Sequence, residues 1–403
     1  MPPTVDIFPD KVLPNNIYDV LNEALEQRKK ESLYRSLRVN DDFASDFASD
    51  KLIDFCSNDY LSFARSEKIK QKVRAFFQKE FYANGSTGSR CISGNTLLAE
   101  NLEQQIAAFH NAEAALLFNS GYDANVGLFS CVAGENDTII SDELIHASVI
   151  DGCRLSRATR YKFLHNDIAN LEEQLKRARG NIFIAVESVY SMDGDMAPIN
   201  DIIELSEKYN ANVIVDEAHA TGVFGVQGRG LVNAAGLEDR IFARVHTFGK
   251  ALGCHGATVI GSQVLRDYLI NFARSFIFTT ALPAHSLLAI KCAYEQLTEG
   301  DFDNTALHSL IGFFRKNFRV CDGITLIDSV SPVQSIIIPG SERVGRIAEL
   351  LKQRGFDVYA VRSPSVPAGK ERLRISIHLH NTNEQVNELI QAIDTLMDTG
   401  DGV

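Results

Sequence analysis

Lys250 stands in the segment His246-Thr247-Phe248-Gly249-Lys250-Ala251-Leu252-Gly253, among small and hydroxylated neighbours just after the apolar run 241–245. A lysine held at a strand end and partly desolvated loses basicity, and the freed lone pair can capture a carbonyl carbon or take up a proton. Four other segments carry groups that such a lysine could work with: Asn119-Ser120-Gly121-Tyr122, Asp142-Glu143-Leu144-Ile145-His146, Glu187 through Gly194, and Asp216-Glu217-Ala218-His219. Ser120-Gly121 reads as a turn into a helix, whose free N–H groups and positive dipole end suit an anion. Asp216 offers a carboxylate, His146 and His219 flat rings, and Ser191 a hydroxyl. Each also has an ordinary explanation when taken singly. Asp216-Glu217 can cap a helix, the histidines can start helices, Ser191-Met192-Asp193-Gly194 can be a turn, and Lys250 can be solvated.

What would bring these segments together is a sheet. The runs 114–118, 138–140, 182–186, 212–215, 241–245 and 257–260 are continuous and apolar, and helical or loop stretches separate them. Runs of that kind predict strands buried on both faces of a mainly parallel sheet in an α/β domain. In such a sheet ligands sit beyond the carboxyl ends of the strands, and the chemistry-bearing segments come directly after the runs. Upstream, Ile17, Leu21, Ala24 and Leu25 give an amphipathic arm over 15–38. A short strand at 52–56 runs into the loop Ser57-Asn58-Asp59-Tyr60, a helix covers 66–81, and 84–95 is rich in Gly, Ser and Asn. Asp41 to Asp50 echoes itself and reads as a polar loop. Downstream, helices are expected at 264–274, 287–297, 344–354 and 383–397, with strands at 334–339 and 372–377. The resulting division is an N-terminal helical arm (1–50), a large α/β domain (51–295) and a smaller α+β C-terminal domain (296–403).

Composition narrows the partners. Fifty-two acidic against forty basic residues give a net charge of -12, which disfavours nucleic acid or a membrane surface as the main partner. The cysteines at 56, 91, 131, 153, 254, 292 and 321 form no CxxC pair and are odd in number. That points to neither a disulfide framework nor a metal site, and to a reducing compartment. With no apolar leader and no stretch of membrane-spanning length, the expectation is a cytoplasmic protein.

A phosphate cradle, a carboxylate, flat rings and a lysine around one cleft are the parts that a pyridoxal phosphate site needs. Asp216-Glu217-Ala218-His219 after an apolar strand, Tyr190-Ser191-Met192-Asp193-Gly194-Asp195-Met196-Ala197-Pro198 before it and Thr247-Phe248-Gly249-Lys250 after it resemble the α-oxoamine synthase family. These are pyridoxal-phosphate enzymes of the aminotransferase-like fold type I that condense an amino acid with an acyl-CoA and release carbon dioxide. The resemblance runs from Ser57-Asn58-Asp59-Tyr60-Leu61 to Arg372-Leu373-Arg374. It implies that Lys250 binds the cofactor aldehyde and removes the Cα proton, that Asp216 pairs with the pyridine nitrogen, and that His146 stacks on the ring. Ser191 and His219 would lie near the ring hydroxyl. Ser120, Gly121, Tyr122 and Thr247 would hold the phosphate, with Thr279 or Thr280 reaching it from the other subunit of a homodimer, and Asn58 and Arg374 would bind the substrate carboxylate. Within the family, Gly85 to Asn95 and His246 to Gly253 are most like members that join alanine to a pimeloyl thioester. Serine with palmitoyl-CoA and glycine with acetyl-CoA are the alternatives. An aminotransferase or aldol-type lyase, or a non-catalytic binding protein on the same fold, are the rival readings.

Overall fold

A computed structural model of the chain describes residues 17–31, 33–37, 52–79, 82–299, 302–320 and 323–398. The expected polar loop at 41–50 lies outside the described residues. In chain order the strands are β1 (Ile53–Asp54), β2 (Ala114–Phe118), β3 (Thr138–Asp142), β4 (Thr159–Phe163), β5 (Ile182–Glu187), β6 (Ala211–Asp216), β7 (Ala243–Thr247), β8 (Ala257–Gly261), β9 (Thr325–Leu326), β10 (Val333–Ile337), β11 (Phe356–Asp357), β12 (Tyr359–Val361) and β13 (Arg372–Ser376).

Seven of them form one sheet in the order β2-β8-β7-β6-β5-β3-β4. All run parallel except β8, which is antiparallel to both of its neighbours. Along β3, Ile139 joins one apolar cluster with Phe183 and Ile214, and Ile140 joins another with Ile184 and Val213. This is the period-two alternation of strands covered on both faces, and it is why their sequences read as unbroken apolar runs. Polar caps begin the covering helices. Thr96 Oγ1 accepts the Ala99 N–H before Leu97–Phe109, and Asp167 accepts that of Asn170 before Ile168–Arg177, each satisfying a donor that has no partner inside the helix.

The C-terminal part adds an antiparallel sheet of order β12-β13-β10-β9, flanked by helices Ser341–Gln353 and Asn383–Asp398. β1 pairs in parallel with β11, so the chain entering the Ser57-Asn58 loop is anchored against the C-terminal region, and Asn58 comes beside β13.

The structure departs from the expected pattern at the short strands β9, β11 and β12, which have no counterpart in it, and in three further places. β4 was not anticipated: Thr159, Arg160 and Lys162 are exposed, so an edge strand with a wet face gives no apolar run. β7 starts two residues later than expected and carries Arg244 and His246 buried within it. The loop 84–95 contains a π-helical turn, Arg90–Gly94, pinned where Arg90 donates to Asn95 Oδ1 and pairs with Glu100 and Glu103. Among the described residues, no helix is long and apolar enough to cross a membrane, and Cys56, Cys91, Cys131, Cys153, Cys254 and Cys292 form no disulfide.

Candidate active site

Because β2, β3, β5, β6 and β7 run the same way, the residues just beyond each emerge along one sheet edge. There they enclose a cleft of about 270 Å³ lined by Ser120, Gly121, Asp216, Thr247 and Lys250, with Asn58, Tyr122, His146 and Glu187 completing its walls.

Lys250 lies in the turn joining β7 to the antiparallel β8. The turn is closed by the Phe248 N–H on Gly256 O (2.9 Å), the Cys254 N–H on Phe248 O (2.7 Å) and the Gly253 N–H on Lys250 O (2.8 Å). Burial lowers the Lys250 amine to about 8, against the pull of Asp216 and Glu187, while Arg374 adds to the lowering. About a tenth of the amine is therefore uncharged at pH 7, far more than for an ordinary lysine, and it is this form that acts as nucleophile or base.

Asp216 ends β6 and is 6% exposed. Its Oδ1 accepts the Ala218 N–H at 2.9 Å and its Oδ2 accepts Asn125 Nδ2 at 2.8 Å. Helix capping, the ordinary explanation for Asp216-Glu217, falls to Glu217, whose Oε1 accepts the Leu231 and Val232 N–H groups at the start of a short helix. Asn125 Nδ2 also donates to Ser148 Oγ (3.0 Å), and Ser148 Oγ lies 2.7 Å from His146 Nδ1. The Ser148 N–H points at the same nitrogen (3.3 Å), so Nδ1 is an acceptor and the ring proton belongs on Nε2. Burial lowers the His146 pKa, with Asp216 opposing and Lys250 reinforcing, so the ring in the cleft wall is neutral.

The anion cradle is built by helix Gly121–Cys131. Ser120 caps it, accepting the Asp123 N–H (3.1 Å) and donating to Asp123 Oδ2 (2.8 Å). Thr247 packs so closely on Gly121 that a Cβ there would lie 2.5 Å from Thr247 Cγ2. Tyr122 is half exposed and donates to Asp151.

His219 is fully buried, with Nδ1 2.7 Å from the Tyr60 hydroxyl. Tyr60 also donates to Asn58 Oδ1 (3.0 Å), which accepts Arg374 Nη2 at 3.0 Å. Arg374 donates further to Ser376 Oγ (3.0 Å) and Ser191 O (2.8 Å). Ser191 does not line the Lys250 cleft; it belongs to an adjoining hollow of about 740 Å³ with His146, Tyr190 and Arg372. Thr279 and Thr280 lie outside the cleft as well, tied to Asn119, whose Nδ2 donates to Thr279 Oγ1 and Thr280 O (2.9 Å each).

Sequence reasoning missed Tyr60, Asn125, Ser148, Glu187 and His255, all of which touch this network or line the cleft. Glu187 stands at a strand end, the one signal that could have found it. The others carry no signal of their own.

The cleft fits pyridoxal phosphate on its own evidence. The buried Asp216 carboxylate lines the cleft beside an amine whose positive charge burial weakens, a place where a pyridinium would supply the opposing charge. The Gly121 and Tyr122 amides stand at a helix N-terminus where a phosphate binds.

The aminotransferase class I and II family model matches residues 50–393. The 8-amino-7-oxononanoate synthase of Emericella nidulans is 43% identical, over 95% of this chain and 96% of that protein, and that of Marinobacter nauticus is 38% identical over 92% and 94%. Among solved structures, a serine palmitoyltransferase from S. paucimobilis with a bound PLP–myriocin species superposes with a TM-score of 0.83 at 26% identity, covering 96% of this chain and 99% of that one. The 8-amino-7-oxononanoate synthase of Francisella tularensis gives 0.74 at 29% identity, over 88% of this chain and 100% of that one.

Proposed function

This chain belongs to the aminotransferase class I and II family and, within it, to the α-oxoamine synthases of fold type I, and we propose that it joins L-alanine to a pimeloyl thioester to give 8-amino-7-oxononanoate. It is a pyridoxal-phosphate-dependent acyltransferase. In the reaction a carbon–carbon bond forms between the alanine α-carbon and the acyl carbonyl carbon, the thiol of CoA leaves, and the α-carboxylate departs as carbon dioxide. The observation that carries this reading is the partly neutral Lys250 amine facing Asp216 in a cleft whose far side is a helix N-terminus.

The bound cofactor supplies an electron sink for the carbanion at the amino acid's α-carbon. Lys250 Nζ takes the α-proton. Asp216, held at both oxygens by the Ala218 N–H and Asn125, would pair with the ring nitrogen. His146, fixed as a neutral imidazole by Ser148, is the ring's flat partner. Ser120, Gly121, Tyr122 and Thr247 hold the phosphate, and Thr279 or Thr280 reaches it from the second subunit of a homodimer. His219 is held by Tyr60 toward the ring hydroxyl. Arg374, steadied by Asn58 and the Ser191 carbonyl, offers its remaining N–H groups to the substrate carboxylate, a fit for a planar, permanently charged donor.

Thiol release decides the substrates. Alanine with pimeloyl-CoA should release thiol at least about tenfold faster than serine or glycine, or than palmitoyl- or acetyl-CoA, a margin of about 1.4 kcal/mol in transition-state binding. A preference for serine with palmitoyl-CoA, the reading favoured by the higher TM-score of the palmitoyltransferase, would displace the proposal. Absence of thiol with every amino acid would sink the synthase reading.

A further inference from the structure

Asn58, which lines the cleft, stands on the loop that follows β1, and Arg374 stands on β13 of the C-terminal sheet. The two meet where Asn58 Oδ1 accepts Arg374 Nη2 at 3.0 Å. Their meeting depends on how the loop is seated against the chain just after β13. Carbonyls of β1 and the loop are taken up there: Phe55 O by the Ser376 N–H (2.8 Å), Tyr60 O by the Leu379 N–H (3.0 Å) and Asp54 O by Asn381 Nδ2 (3.1 Å).

Ser57 O belongs to the peptide group that leads into Asn58, and its partner is a side chain. It lies 3.0 Å from His378 Nε2, and Ser57 Oγ lies 3.2 Å from the same nitrogen. A carbonyl can only accept, so Nε2 carries a proton in either charge state of the ring and donates it to Ser57 O. Asp54 holds the rest of Ser57, its Oδ1 accepting the N–H (2.9 Å) and its Oδ2 the hydroxyl (2.7 Å). The imidazole is fixed in turn. It is fully buried, its Nδ1 lies 3.1 Å from Asn381 Oδ1, and it stacks with the rings of Tyr60 and His380 at 6.5 and 4.6 Å between centroids.

We propose that His378 is a positioning residue for the amino-acid substrate: by holding the peptide group before Asn58 it keeps Asn58 on Arg374, and so keeps the guanidinium turned to the substrate carboxylate. His378 does not itself line the cleft. Without its donor the Ser57 carbonyl loses its partner, the peptide group rotates to find another, and Asn58 turns with it. The inference rests on the assignment of Asn58 and Arg374 to the substrate carboxylate.

Absorbance titration of the cofactor-loaded protein reads the Kd of L-alanine and of ethylamine, which is alanine without its carboxylate. His378→Leu removes the donor at similar volume and should weaken L-alanine about tenfold while leaving ethylamine within about twofold. His378→Gln, whose amide places an N–H near the position of Nε2, should stay within about threefold of wild type for both. In turnover the Leu variant should raise KM for alanine more than it lowers kcat. An unchanged alanine Kd in His378→Leu, an equal loss for ethylamine, or a Gln variant as impaired as the Leu one would overturn the proposal. Arg374→Ala separates the two readings. If it leaves alanine binding unchanged, the carboxylate assignment fails and this inference with it; if it weakens alanine and His378→Leu does not, the positioning role alone fails. Should the Leu variant fail to fold, His378→Asn, whose shorter amide does not reach Ser57 O, takes its place and must show the same selective loss.

Discussion

At the scale of single residues, the site works by holding charges where water cannot compensate them. Lys250 is lowered to about 8 by burial, so free amine accumulates as pH approaches that value. Uptake of pyridoxal phosphate by the apo-protein should therefore accelerate up to about pH 8 and level off above it, as stopped-flow absorbance would record. Lys250→Ala should cost at least about a thousandfold in turnover, within the range for losing a positioned base and nucleophile. It should also abolish the borohydride-stable link between protein and cofactor that mass spectrometry detects. Asn125 has a different importance, since one amide group steadies both Asp216 and Ser148. Asn125→Ala leaves Asp216 Oδ2 without its donor and should destabilise the protein by about 1–3 kcal/mol, measured by urea denaturation.

At the scale of elements, two local constructions aim these groups. The helix Gly121–Cys131 reaches the cleft only because Gly121 lets Thr247 approach it. Gly121→Ala puts a methyl 2.5 Å from Thr247 Cγ2 and should weaken cofactor binding about tenfold, with less effect on thermal stability, if the strand end moves aside. The second construction is His165, whose Nδ1 lies 3.0 Å from Asp142 Oδ1 and whose Nε2 lies 2.7 Å from Asp195 Oδ2. It fastens the end of β3 to the turn Tyr190–Asp195 that supports Arg374. Burial alone would depress its imidazole, but the two carboxylates outweigh burial and raise it to about 9. A base whose folded pKa is raised adds stability that is complete below its unfolded pKa of about 6.5 and fades as pH rises through the folded value. His165→Gln should therefore lower the denaturation midpoint most at about pH 6, and the difference from wild type should narrow above about pH 9.

At the scale of the molecule, the expected homodimer makes a strict test. Sedimentation should give twice the 44.6 kDa chain mass. Mixing Lys250→Ala subunits with subunits in which Thr279 and Thr280 are both alanine should restore up to about a quarter of wild-type activity if the threonines act across the interface. Random exchange makes half the dimers mixed, each with one intact site, whereas action within a chain restores nothing. The central strands of the large sheet, and the gathering of Lys250, Asp216 and His146 into one cleft, were legible in the sequence, because strands buried on both faces write continuous apolar runs and parallel strands bring the segments after those runs to one edge. Part of that legibility came from family motifs rather than from physics. The exposed edge strand β4 escaped because Thr159, Arg160 and Lys162 break any apolar run, and β7 was placed two residues early, at 241–245 instead of Ala243–Thr247. Tyr60, Asn125, Ser148 and Glu187 carry ordinary side chains whose partners lie far along the chain. Only the tertiary structure, by seating Asn58 against Arg374 and Glu187 beside Asp216, decided which groups are paired and which are desolvated, since pairing and desolvation depend on distance in space.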